Sequence, residues 1–336
     1  MTMPFCSVIV LNFQGEKLIE ATLKSLFALD YPKDRYKIII VDNASKDKSV
    51  EIINSLTREF VNPITTLLPL DKNLGFAGGN NEGIKQAKGK YVILLNNDCV
   101  VDKSWLTELV KVAEKDEHIF AAGSKVYLRE TNKIQNAGIM MFEDGYGRDV
   151  GAIVHGKDQD YAEDVGQYDR EKETYAACAV AVLYRKSILD NIGYPDDTSF
   201  MYYEDVEISE RARMHGYKIM YAPHAVVHHH HAASSGEYSP FFIYHSELGR
   251  LLHMFFWFPQ RIFWREYFKF ALKSKLRILY GIKKNILKQQ AQYFKVTCKL
   301  FFSFPSLYEK RRIKINGINP KLIEKNYQSI RNNVRI

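Results

Sequence analysis

Tyr91-Val92-Ile93-Leu94-Leu95 runs directly into Asn96-Asn97-Asp98. Five consecutive bulky apolar residues read as a strand buried on both faces, since a half-solvated strand would alternate apolar with polar. The pattern occurs twice more upstream. Ser7-Val8-Ile9-Val10-Leu11 leads to Asn12, and Lys37-Ile38-Ile39-Ile40-Val41 leads to Asp42-Asn43. Thr65–Leu70 reads as a further strand. Between these runs lie helical patterns: Glu16–Ala28, stopped by Tyr31-Pro32; Lys48–Glu59, with Ser45 or Asp47 available as its cap; and a helix start over Asn80–Ala87. Strand and helix alternating over a hundred residues predict an α/β fold with a mostly parallel sheet and flanking helices. Ligands of such sheets sit beyond the carboxyl ends of the strands, so Asn12, Asp42-Asn43 and Asn96-Asn97-Asp98 are expected on one edge.

Further along, Ala176–Tyr184 is a small-residue and apolar run. Phe200-Met201-Tyr202-Tyr203-Glu204-Asp205 opens a helix with Val206, Ile208 and Ala212 on one side. Lys218–Ala222 reads as a short strand, and Ala225-Val226-Val227 leads into His228–His231. From Pro240 the chain changes to long amphipathic stretches of Lys/Arg with Phe/Trp/Tyr. A boundary near 240 is expected, with a body over 1–240 and a helical extension over 241–336.

Each polar cluster has a functional and a plain reading. Asp98 at a strand end suits a divalent cation that also holds a diphosphate, and suits a turn equally well. Asn73-Leu74-Gly75-Phe76-Ala77-Gly78-Gly79-Asn80-Asn81 reads as a glycine-rich turn where backbone approaches a ligand, or as an ordinary loop; it matches neither the Walker pattern nor GxGxxG. Asp42 is placed to accept the imide N–H of a pyrimidine base, or to close an Asx turn. Glu204 and Asp205 suit a general base, although acids favour a helix N-terminus anyway. In an extended His228–His231 segment only alternate members share a face, so one or two of the four can be ligands.

The composition is that of a folded globular chain: 336 residues, 46% hydrophobic and 26% charged. Four cysteines without CxxC spacing argue against a disulfide framework or a thiolate zinc site, and for a reducing compartment. Met1–Phe5 lacks the charged n-region of a secretory signal, and no apolar run is long enough to span a bilayer, so a cytoplasmic location is expected. The net +8 is uneven. Residues 241–336 hold 20 Lys+Arg against 4 Asp+Glu, a net +16, which leaves −8 on residues 1–240.

Taken in order, Val41-Asp42-Asn43-Ala44-Ser45, the Asn73–Asn81 stretch, Leu94–Asp98, Tyr203-Glu204-Asp205-Val206-Glu207 and Val227-His228 resemble a bacterial family-2 inverting glycosyltransferase of the rhamnosyltransferase-like branch, over roughly residues 5–235. The resemblance implies a GT-A fold, with a nucleotide-binding half over 1–100 and an acceptor-binding half over 101–240. It implies that Asp42 reads the base, with Leu11 and Asn12 lining that pocket and Asn73, Gly75, Asn80 and Asn97 contributing to the nucleotide-sugar site. Asn96-Asn97-Asp98 takes the position of the family's metal motif, with Asp98 as the main carboxylate and His228 completing a Mg²⁺ or Mn²⁺ site. Asp205 matches the catalytic base, with Glu204 beside it as the second candidate. The implied reaction is in-line transfer from a nucleotide-diphospho-sugar to a hydroxyl of a lipid-linked or oligosaccharide acceptor, with dTDP-rhamnose as the first expected donor and UDP-linked hexoses or galactofuranose behind it. A non-catalytic nucleotide-sugar-binding scaffold is the rival from another class. A nucleotidyltransferase is disfavoured because Val10–Gly15 carries no basic glycine-rich signature.

The tail combines Phe255–Phe258 and Phe263–Phe270 with recurring Lys/Arg. That is the pattern of helices lying on the cytoplasmic membrane surface in a peripheral association; packing on the body or a homodimer contact is the alternative. Nucleic acid is not expected, because no nucleic-acid module accompanies the charge and the acidic body would be repelled by phosphate.

Overall fold

The computed structural model describes residues 3–60, 64–155, 158–230 and 238–333. The first hundred residues alternate as expected: β1 (Cys6–Asn12), α1 (Ile19–Phe27), β2 (Tyr36–Asp42), α2 (Ser49–Glu59), β3 (Ile64–Pro69), α3 (Gly75–Gln86) and β4 (Tyr91–Asn96). β5 (Cys99–Val101), α4 (Trp105–Ala113) and β6 (Ile119–Leu128) follow. A run of short strands comes next: β7 (Ile134–Asn136), β8 (Ile139–Met141), β9 (Gly147–Asp149), β10 (Ala152–His155), β11 (Asp158–Tyr161), β12 (Lys172–Glu173) and β13 (Ala181–Arg185). Then come α5 (Lys186–Ile192), α6 (Glu204–Met214) and β14 (Lys218–His229).

The main sheet runs in the order β12-β14-β6-β13-β4-β1-β2-β3, with β5 and β7 attached to β14 and β6. β1 through β4 are parallel to one another; β13 enters antiparallel between β4 and β6. Both faces are covered, which is why the strands need no polar alternation. Val8, Val10, Ile38, Ile40, Ile93 and Leu95 pack under α1, α2 and α4, while Ile9, Ile39, Val41, Val92 and Leu94 pack under α3, α5 and α6. The expected strand Lys218–Ala222 and the Ala225–Val227 run that follows it are one element, β14, whose register against β6 shifts between Ala222 and Val226; Pro223, which has no N–H to give a ladder, sits in that irregularity.

One expectation is corrected. Gly75–Asn81 is not a turn but the first half of α3. Its glycines serve close packing: a Cβ on Gly79 would fall 2.5 Å from the Leu11 side chain, and one on Gly83 2.6 Å from Ile9. Only Gly75, at φ +76 and pressed against the Phe200 carbonyl, needs glycine for its backbone conformation as well.

The chain forms two units. The first comprises Met1–Met140, Arg148–Phe200 and Glu204–His231; the second comprises Met141–Gly147, Met201–Tyr203 and Ala232–Ile336. A single boundary near 240 does not anticipate the two short internal segments. The second unit consists largely of α7 (Pro240–Trp257), α8 (Gln260–Lys283), α9 (Leu287–Lys314) and α10 (Pro320–Asn333). Its core is aromatic: Phe255, Phe263, Tyr267 and Phe304 pack ring against ring at centroid distances of 5.1–6.0 Å. Arg250, Glu247 and Tyr146 form a buried polar cluster within this unit, with Arg250 Nε 2.8 Å from a Glu247 carboxylate oxygen and the Tyr146 hydroxyl donating to Glu247 at 2.6 Å.

Candidate active site

Register places the first cluster. Asn12 stands opposite Asp42 across β1 and β2, and Leu11 opposite Asn96 across β1 and β4. The Asn12 amide donates to Asp42 Oδ1 at 2.9 Å and to Ser49 Oγ at 2.9 Å, and its oxygen accepts from Asn97 Nδ2 at 3.0 Å. The other Asp42 oxygen accepts the Ser45 N–H at 3.2 Å. Asn43 crosses to the start of α3, donating to Asn73 Oδ1 at 2.9 Å and accepting the Leu74 N–H at 2.8 Å. The expected nucleotide-side residues Asn12, Asp42, Asn73 and Asn97 are thus joined into a polar edge, with Gly75 donating its N–H to Asn73 and accepting the Asn43 amide at its carbonyl. Leu11 packs beside Gly79 at that edge. Asn80 stands apart: it is buried, and its amide donates back to the Phe76 carbonyl of its own helix at 3.0 Å.

The second cluster corrects the histidine assignment. β14 pairs antiparallel with β5 so that His229 faces Cys99 and His228 faces Val100. Successive strand residues point to opposite sides, so His229, not His228, meets Asp98: its Nε2 lies 3.1 Å from Asp98 Oδ1. His228 stacks on Tyr127 at 5.6 Å and approaches Asp102 at 3.7 Å on the exposed side. His231 lies outside the described residues.

The His229 ring is fixed by Gln135, whose Oε1 lies 2.7 Å from Nδ1. With Nδ1 donating to that oxygen, Nε2 is the ring nitrogen turned toward Asp98. At 3.1 Å from a carboxylate oxygen, Nε2 either carries a proton of its own or shares a cation with Asp98. An imidazole nitrogen and a carboxylate oxygen are both ligands a divalent cation takes, and Asp98 and His229 bring one of each together. Cys99 brings its sulfur within the same 4.8 Å cluster. Burial drives the Cys99 thiol well above its ordinary pKa, which disfavours the thiolate a metal would take.

The third cluster surrounds the start of α6. Asp205 accepts the Ala179 N–H at 3.1 Å and the Val206 N–H at 2.8 Å. Despite these donors, desolvation raises its pKa. Asp149, at the end of β9, is pushed up to about 7, first by burial and then by the charge of Asp205; the Asn136 amide at 2.7 Å and His229 pull the other way. Glu204 is buried. Farther along the helix, Glu207 pairs with Arg211, whose guanidinium also caps the Ile192 and Tyr194 carbonyls at 3.1 and 3.0 Å. The acidic string of the sequence therefore separates into one structural anchor, Glu207, and the carboxylates Glu204 and Asp205 at the head of α6, with Asp149 in electrostatic reach of both Asp205 and His229.

Sequence reasoning missed Asp149, Gln135, His229 as the facing histidine, and Cys99. For His229, strand alternation was the available signal, but it required the register with β5. Asp149 sits in Gly147-Arg148-Asp149, which carries no motif at all.

The chain is 27% identical over 224 residues to the poly-β-1,6-N-acetyl-D-glucosamine synthase of Staphylococcus epidermidis, covering 66% of this chain and 48% of the relative. It is 27% identical over 241 residues to the O-antigen biosynthesis protein RfbC of Myxococcus xanthus, covering 70% of this chain and 18% of the relative. The chain thus spans half or less of the length of these relatives. Among solved structures, GalNAc-T7 with UDP, GalNAc and Mn²⁺ shares the fold at a TM-score of 0.61 and 14% identity, over 90% of this chain and 58% of that one. Residues 7–193, more than half of the sequence, match the glycosyl transferase family 2 profile. On that match and the GT-A architecture, the chain belongs to glycosyl transferase family 2.

Proposed function

We propose that this chain transfers a sugar, with inversion, from a nucleoside-diphosphate sugar to a hydroxyl of a glycan acceptor in cell-surface polysaccharide synthesis. The observation that carries the reading is Asp205: a carboxylate whose charged form is disfavoured by burial, at the head of α6, close enough to Asp149 for their charges to interact. Such a group takes a proton more readily than an ordinary aspartate, which is the task of a general base at neutral pH. In this reading Asp205 accepts the acceptor's proton as its oxygen attacks the anomeric carbon, and Glu204 is the second candidate. Residues 1–240 are the catalytic domain.

Asp42 retains unused lone pairs after its two hydrogen bonds and is available to the base of the donor; Leu11, Asn12, Asn73, Gly75 and Asn97 shape that edge. Asn80 is dropped from the set, since its amide is engaged within α3. Asp98 and His229 would hold Mg²⁺ or Mn²⁺, which supplies charge neutralisation to the departing diphosphate. The Mn²⁺ in the GalNAc-T7 complex supports that choice of ion class. The relatives' names support a polysaccharide product. Within the class, dTDP-rhamnose is the first donor to test and UDP-sugars the second, with a lipid-linked glycan as acceptor.

The deciding experiment offers a panel of dTDP-, UDP- and GDP-sugars with Mg²⁺ or Mn²⁺ and extracted lipid-linked acceptors. Acceptor-dependent release of nucleoside diphosphate is expected. Release of pyrophosphate would mean a nucleotidyltransferase, and tight donor binding without turnover would mean a scaffold.

A further inference from the structure

The helix α8 has two apolar sides. Ile262, Phe263, Tyr267 and Phe270 are buried within the second unit. Phe268, Leu272, Leu276 and Leu279 instead stand in solvent, exposed by 63, 65, 60 and 66%. Their spacing of four, four and three residues puts them in one stripe along the helix. Lys273, Lys275 and Lys283 are exposed on the same element, and among the described residues none of them has an acidic partner. Its single acid, Glu266, is already engaged by Arg265 and Lys269. The next helix repeats the combination. Phe301 and Phe302 of α9 are 63 and 79% exposed, with Lys295 and Lys299 also in solvent. Residues 260–314 together carry 15 Lys+Arg and 2 Asp+Glu.

We propose that this face docks on an anionic lipid bilayer, with α8 lying in the plane of the interface. Leucines and phenylalanines in the middle of a cationic helix face match a surface that is apolar just beneath a negative headgroup layer. A second copy docked through the same face would bring the same excess of positive charge and be repelled. A nucleic acid would satisfy the lysines but leave the leucine stripe against phosphate and water. No described helix is long and apolar enough to cross a membrane, so the contact is one of lying on the surface. The inference does not depend on the donor, the acceptor or the identity of the base.

The test is co-sedimentation of the full chain with phosphatidylcholine vesicles, with and without phosphatidylglycerol. Pelleting is expected only with phosphatidylglycerol, and it should weaken as salt rises. The triple variant Leu272→Gln/Leu276→Gln/Leu279→Gln alters exposed positions only and should lose at least about 10-fold in partitioning, with its circular dichroism melt unchanged. A second variant, Leu276→Trp, keeps an apolar side chain and reports directly: its emission should shift to the blue on phosphatidylglycerol vesicles and be quenched by brominated acyl chains. Equal pelleting of the triple variant and the parent would overturn the proposal. So would an unshifted Leu276→Trp spectrum, a dimer that the triple variant dissolves, or salt-sensitive capture of RNA in place of vesicles.

Discussion

Asp42 and Asp205 are both aspartates that accept two hydrogen bonds within the same unit, yet their surroundings differ in kind. Asp42 sits among Asn12, Ser45 and Ser49, neutral groups that are themselves cross-bonded. Asp205 sits with Asp149 and Glu204, and its two backbone donors do not offset the loss of water. A carboxylate surrounded by amides and hydroxyls is a fixed acceptor, suited to recognising a donor group on a ligand. A carboxylate stripped of water by burial has its charged form disfavoured, which suits it to taking up a proton.

The sharpest way to break this contrast is to neutralise both sites without changing their shape. Asp205→Asn should cut turnover by about 10²–10⁴-fold, the usual worth of a general base, with nucleotide affinity retained. Asp42→Asn should do the reverse, raising donor KM while sparing kcat, as loss of binding shared by ground and transition states does. Steady-state kinetics with nucleotide titration checks both. Near-normal turnover in Asp205→Asn would move the base to Glu204 or Asp149.

How much of this was legible in the sequence differs between the two sites. The Asp42 side was legible, because a parallel sheet brings the ends of β1, β2 and β4 together whatever their loops do. The Asp205 side was legible only as a helix start. Its partner Asp149 comes from a short strand pair with no motif, and the facing histidine depends on how β14 registers against β5. A one-residue difference in that register reverses the answer, which periodicity alone does not supply. The glycine stretch misled for a related reason: glycines that permit contact between α3 and the sheet look the same in sequence as glycines that permit contact with a phosphate.

The pairing of β14 with β5 sets the two histidines apart. His229→Ala should weaken Mn²⁺ binding by at least the ~10–100-fold that losing even an outer partner of a metal ligand costs. His228→Ala, which removes a ring stacked on Tyr127 at the surface, should change it by no more than about twofold. Titration of Mn²⁺ followed by electron paramagnetic resonance measures both. Equal effects would mean that the two rings exchange places when the ion binds.

A smaller effect is expected from the backbone ahead of Asp205. Tyr202 and Tyr203 both have φ of 70, a left-handed conformation that costs a non-glycine residue about 1–3 kcal/mol. They are held there within the second unit: the Tyr203 hydroxyl donates to the Gly145 carbonyl at 3.1 Å and accepts the Gly147 N–H at 3.2 Å. Gly249 lies so close that a Cβ would fall 2.7 Å from the Tyr202 carbonyl oxygen and 2.9 Å from Tyr203 Cβ. Since the next two residues are Glu204 and Asp205, Gly249→Ala should displace the proposed base and lower kcat about 10-fold, with donor KM unchanged. A change in KM alone would mean that the tyrosines serve substrate binding and not the base.

The smallest effect tests whether a raised pKa is by itself a mark of chemistry. Glu210, on α6 and fully buried, is also pushed up to about 7, chiefly by burial, with Tyr175 and Arg213 opposing. It belongs to no cluster near Asp98 and His229, so its shift is a matter of stability. Between its unfolded pKa near 4.5 and about 7 the folded chain holds a proton that the unfolded chain releases. Stability from this group is therefore present at low pH and lost as pH rises through that window, levelling off above it. Glu210→Gln, which keeps the shape and removes the charge, should raise the thermal midpoint by roughly 2–4 °C at pH 8, and the gain should vanish toward pH 4. Turnover should stay within about twofold of the parent. Asp205→Asn shares the isosteric logic but should lose turnover at every pH, so it is the place at the head of α6 with Asp149 in electrostatic reach, added to the raised pKa, that marks the proposed base off from a merely buried carboxylate.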